Sequence, residues 1–214
     1  GGNGVVFLPR VPANALQSVS STETTTIGFA PEVVQQNPAL AGVENFVAPN
    51  TLFNEKGTRG GRVGMAPVPP DRLPEPLPPG LNLPLVITIQ TDGAMNFDRP
   101  VPVRFPNLPD PVTGVLLPPG AKSAIWSFNH DTGRWEMQGP ATVTADGLYV
   151  ESDPGVGIRQ PGWNGAAPGS TGSGGGPPPC LNCNRKDPDE DNDCLGGEGD
   201  EKKRAEALLH LLPI

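Results

Sequence analysis

The densest set of metal-capable side chains in this sequence lies in one late segment. Asp187, Asp189, Asp191 and Asp193 alternate there, and Glu198 stands twelfth counting from Asp187. An EF-hand-type calcium loop takes oxygen donors at alternate positions from the first to the seventh and a bidentate Glu at the twelfth, so the spacing is met. Three features oppose the match: Asn192 occupies the sixth position, where a sharp turn wants Gly, Pro188 follows the first ligand, and upstream Gly and Pro leave no entering helix. An acidic, solvated linker accounts for the same residues and is the simpler reading. Cys180 and Cys183, two residues apart, and Cys194 share this segment. A tetrahedral structural zinc site needs four ligands, and the nearest histidine is His210. The alternatives to zinc with an outside fourth ligand are a disulfide or unpaired linker thiols.

Elsewhere the chemistry is thinner. Ser127, His130 and Asp131 suggest a hydrolase set, but neighbours on one hairpin turn seldom converge as nucleophile, base and orienter. No G-x-S-x-G or H-E-x-x-H pattern occurs. Trp126, Trp135 and Trp163 offer either a sugar-stacking platform or core side chains. Between residues 67 and 84, eight positions are proline, which gives PxxP spacings for a polyproline ligand or an extended crossing loop. No catalytic residue is expected.

The elements that must position these residues are strands. With 28 glycines and 29 prolines in 214 residues, the punctuation falls between short Val-, Ile-, Thr- and Phe-rich runs. The runs at 5–8, 24–30, 61–68 and 85–90 read as strands, and Val101, Val103 and Phe105 alternate on one face. Residues 124–136 place a Trp on each arm of a β-hairpin around an Asp-Thr-Gly turn. Further short strands follow at 141–144 and 148–150. Trp135 is expected inward against Val101 or Val103. Segment 31–58 lacks a clean period and is expected as an insertion on the domain surface.

The expected fold class is all-β: an antiparallel β-sandwich over 5–163, a disordered Gly/Pro/Asp-rich linker carrying the cysteines over 166–199, and a short terminal helix over 201–212. A formal charge of −8 argues against a nucleic-acid groove and an anionic membrane surface. No apolar run reaches bilayer-spanning length, and no signal peptide is visible. The chain opens on Gly1 and reads as a piece of something longer.

Several stretches together resemble a known family. Pro12-Ala13-Asn14-Ala15-Leu16, Val63-Gly64-Met65-Ala66-Pro67-Val68 and Leu73-Pro74 are similar to the first half of the ZU domain. That module is named for zonula occludens proteins and netrin receptors and also occurs in ankyrins. Asp92-Gly93, Phe97-Asp98-Arg99-Pro100-Val101, Leu117-Pro118-Pro119-Gly120-Ala121 and Thr132-Gly133-Arg134-Trp135 resemble its second half. Some members cleave themselves at a His-Phe-Ser sequence, which this chain lacks, so autoproteolysis is not expected. The resemblance implies a non-catalytic structural or interaction module of a larger bacterial cell-surface or secreted protein, located outside the cell or in the envelope. Its implied partners are neighbouring domains and surface proteins or glycans. The alternatives are a carbohydrate-binding module of a secreted enzyme and a calcium-dependent adhesive segment. No cofactor is expected beyond the calcium of the acidic segment.

Overall fold

Apolar and β-branched runs separated by Gly, Pro and Asx turns pair their backbone groups most economically in antiparallel ladders. The computed structural model, which describes residues 9–167, does this almost throughout. Its strands are β1 (Gln17–Ser18), β2 (Thr25–Gly28), β3 (Glu44–Val47), β4 (Leu52–Asn54), β5 (Arg62–Val68) and β6 (Val86–Thr91). They continue as β7 (Met95–Phe97), β8 (Val103–Pro106), β9 (Lys122–Asn129), β10 (Arg134–Val143), β11 (Tyr149–Ser152) and β12 (Gly162–Ala167). Among the described residues, helix is confined to α1 (Pro31–Gln36) and three single 3₁₀ turns. The expected all-β antiparallel class therefore holds.

Ten strands join one sheet in the order β1-β5-β6-β12-β9-β10-β11-β8-β3-β2, and β4 pairs with β7 separately. The large sheet curls, barrel-like, until its two edges meet: Gln17 of β1 donates its side-chain amide to the Gly28 carbonyl of β2 at 2.9 Å. Ile27, Val63, Ile87, Val103, Ile125 and Val150 from its successive strands pack into one core inside the curl. The side chains of Asn45 on β3 and Met65 on β5 touch across it.

A second cluster lies on the opposite face of β5, β6, β12, β9 and β10. Val68, Val86, Trp135, Trp163 and Ala167 are buried there, with Trp126 and Phe128 packed against them. Its cover is the proline-rich connection between β5 and β6, which brings Leu73, Leu77, Leu81 and Leu83 down onto the aromatic rings. The expected crossing loop is therefore a strap, and the sheet it crosses is buried on both faces. All six residues of β12 are buried.

Three expectations change. Segment 31–58 is not a surface insertion: it supplies β3, which bridges β2 and β8, and buries Leu40, Val43, Val47 and Leu52. Its apolar residues lack one period because a helix, a turn and two strands follow each other within it. The domain does not stop at 163, nor does the linker start at 166. β12 continues to Ala167, and Ala166 and Ala167 pair with Ile125 and Ala124. Trp135 does not meet Val101 or Val103, which lie in the other cluster. The cause is a bulge in β10: Met137 opposes Trp126, but Gly139 opposes Ile125. The extra residue swaps faces, so Trp135 points to the strap while Ala141 and Val143 point to the core. The strand expected at 141–144 is the far half of this same β10. The strand expected at 5–8 and the helix expected at 201–212 lie outside the described residues.

Candidate functional site

The aromatic layer is built by β9 alternation. Ile125 and Ser127 face the core, and Trp126 and Phe128 face the strap. Phe128 sits opposite Trp135 in the ladder, and their rings meet edge to face at 5.9 Å. Trp163, from β12 on the other side of β9, meets Phe128 in a T-shaped pair with ring centroids 5.7 Å apart. His130 closes the row against Phe128 at 5.7 Å and Trp163 at 5.3 Å. Gly162 faces this ring with φ of 146°, a backbone conformation that favours glycine, and a Cβ there would fall 2.5 Å from His130 Nε2. Trp135 donates its indole N–H to the Glu75 carbonyl at 3.1 Å, which fastens the strap. The indole N–H groups of Trp126 and Trp163 and the Thr88 hydroxyl are buried without a partner.

This arrangement decides the sequence-level candidates that fall among the described residues. The three tryptophans converge, but not as an open platform: Trp135 is 6% and Trp163 4% exposed. Ser127 donates its hydroxyl to Asn164 on the core side, whereas His130 stacks on the strap side. Opposite faces of one sheet keep that serine and histidine from acting as nucleophile and base. The leucines of the PxxP stretch are committed to the aromatic layer. Among the described residues no group of three His, Cys, Asp or Glu side chains gathers as a metal site would require. Asp187, Asp189, Asp191, Asp193, Glu198, Cys180, Cys183 and Cys194 lie outside the described residues.

Two features were missed by the sequence reading. Arg104 stands directly across from Glu44 on β3 and from Glu151 on β11. It bonds Glu44, lies 3.6 Å from Glu151, and stacks its guanidinium on Tyr149, 4.4 Å from the ring centroid. The Val101-Val103-Phe105 alternation did place residue 104 outward; its partners depend on register and carry no local signal. The second feature is the β8–β9 loop with the turn between β10 and β11. Among the described residues, these hold the exposed large apolar side chains: Val112 at 74%, Val115 at 56%, Leu116 at 52% and Leu148 at 59%. Asp110 and Asp146 organise the two segments. Backbone donation from Thr113 holds the Asp110 carboxyl below the usual aspartate range, and the Thr144 hydroxyl does the same for Asp146. Nearby, a shallow apolar hollow lined by Leu85, Phe105, Leu117, Val150 and Ala166 opens where β12 ends. No helix among the described residues is long and apolar enough to cross a membrane. Comparison with protein-family models, with curated proteins and with solved structures finds no match.

Proposed function

We propose that this domain is a non-catalytic structural and interaction module of a larger bacterial cell-surface or secreted protein, as its resemblance to ZU domains implies. The observation that carries this reading is where its polar and aromatic side chains are used. Arg104 joins three strands through Glu44 and Glu151, Arg62 holds Asp92 at 2.7 Å, and Lys122 holds Asp153 at 2.7 Å. The tryptophans are tied under the strap rather than presented. Groups of this kind brace a scaffold, while apolar side chains stand out at one loop and one turn, where a contact surface would be. An extracellular or envelope location and partners among neighbouring domains belong to the same proposal.

A sugar-binding module stacks its ligand on open ring faces. The covered Trp135 and Trp163, and the Arg104 guanidinium over Tyr149, favour the scaffold reading over that one. A glycan array probed with the whole chain tests the choice. The expected result is no retained glycan. Binding abolished by Trp126→Ala in a variant that still melts normally would establish the carbohydrate reading instead. A calcium-dependent adhesive segment predicts a calcium effect. Thermal unfolding in millimolar calcium and in chelator is expected to give one midpoint for the domain, since an ion bound only by the folded form would raise it.

A further inference from the structure

We infer that the β8–β9 loop and the β10–β11 turn together form a docking knob for a protein partner with an apolar hollow rimmed by Lys or Arg. This rests on the interaction-module reading and names its surface and the chemistry of its partner.

Single exposed apolar residues are ordinary, but among the described residues the four large ones all fall in two adjoining segments. Asn107 joins the segments. Its backbone N–H donates to the Leu148 carbonyl at 2.8 Å, and its side-chain amide donates to the Leu117 and Gly147 carbonyls at 2.8 and 2.9 Å. Leu117 turns into the core, whereas its neighbours Val115 and Leu116 turn out.

The knob is held in shape before any partner arrives. Asp110 Oδ1 accepts from the Val112 and Thr113 N–H groups at 2.9 and 2.7 Å. The Asp110 N–H donates to the Val115 carbonyl at 3.0 Å, and the Gly114 N–H to the Asp110 carbonyl at 2.8 Å. Pro109, Pro111, Pro118 and Pro119 fix further backbone angles. In the turn, Asp146 Oδ1 accepts from the Leu148 N–H at 3.0 Å. A loop ordered in advance loses little entropy on binding, which is the condition for a small apolar surface to bind usefully.

Charge selects the occupant. Between residues 107 and 121, and between 144 and 148, the sequence carries Asp110 and Asp146 and no Lys or Arg, and the Arg104 charge that reaches Asp146 is already met by Glu44 and Glu151. Asp110 and Asp146 are ordinary aspartates at neutral pH, hence ionised, and the hydrogen bonds of their turns further favour the charged form. Two fixed negative charges beside an apolar knob repel an anionic membrane, and a second copy of the knob would set Asp against Asp. A hollow with a cationic rim satisfies both components.

The test is selection of random linear peptides displayed on phage against the whole chain. Enriched peptides are expected to combine large apolar residues with Lys or Arg. Their affinity should fall about tenfold or more for the double variant Val115→Ser, Leu116→Ser, as expected when central anchors are lost. Asp110→Asn with Asp146→Asn keeps the turn acceptors, removes the charge, and should weaken binding and its salt dependence. Thermal midpoints unchanged in both variants would place these losses at the surface. Failure to enrich any peptide, or enrichment of peptides indifferent to the double variant, would overturn the knob. The latter would leave the interaction-module reading standing; glycan retention on the array would remove it. Concentration-dependent dimerisation lost in the double variant, or sedimentation with neutral phosphatidylcholine vesicles, would overturn the basic-rimmed partner.

Discussion

Asp110 and Asp146 each give carboxylate oxygens to their own turns, and both are held below the ordinary aspartate range. A carboxylate whose folded value is depressed contributes stability that is complete above the unfolded value, about 3.9, and is lost as pH falls through the folded one. Urea unfolding is therefore expected to show a shallow extra loss of stability below about pH 4, reduced in Asp110→Asn and Asp146→Asn. The effect should be small, because both carboxylates are open to solvent. Identical acid slopes in wild type and variants would mean that the turns do not depend on the charge. Turn chemistry of this kind is legible in the sequence. Asp131-Thr132-Gly133 was read as the turn of a hairpin. Asn129 does accept from the Asp131 and Thr132 N–H groups, and Gly133 has φ of 66°. The Arg104 pairing was not legible, because Glu44 and Glu151 lie far away along the chain and meet it only through register.

Strand β10 shows how a single residue misleads a periodic reading. Trp135, Met137, Ala141 and Val143 are all odd-numbered, so simple alternation puts them on one face. The bulge between Met137 and Gly139 gives the first two to the strap and the last two to the core. Gly139 permits it, with φ of 148° and Val156 methyls 2.8 Å from a notional Cβ. Deleting Gln138 should leave a regular ladder with every later face preserved, at a cost of about 1–2 kcal/mol. Deleting Thr142 removes a paired residue and turns a core side chain outward, so its midpoint should fall much further. Equal losses would show that the bulge does not set the face. Because Trp135 fastens the strap, Trp135→Ala should destabilise by about 3–5 kcal/mol and open residues 73–80 to protease. A near-neutral substitution would mean that the strap rests on its leucines alone.

At the scale of the molecule, the sequence announced an antiparallel all-β protein but concealed where the domain closes. Ala166 and Ala167 sit among the Gly, Ser and Pro that begin the next stretch, and two alanines carry no strand signal of their own. Their role is set by position. β12 lies between β6 and β9, with Asn164 opposite both Ile87 and Ser127, and Gly165 opposite both Val86 and Trp126. Small side chains suit that place, since the strand is covered by the core on one face and by the strap on the other. A Cβ at residue 165 would stand 2.9 Å from the Leu85 carbonyl oxygen. A chain ending at Trp163 would lose the remaining residues of a central strand. The facing N–H and C=O groups of β6 and β9 would then be unpaired, and the Asn164 side chain would no longer accept from Ser127. Each buried unpaired group costs about 1–3 kcal/mol, and several together approach the 5–15 kcal/mol that holds a typical domain folded. A chain ending at Trp163 is therefore expected to lack a cooperative thermal transition at room temperature and above, whereas one ending at Ala167 should melt in a single step. A folded chain ending at Trp163 would require β6 and β9 to pair directly, which hydrogen exchange across residues 86–91 and 122–129 would reveal.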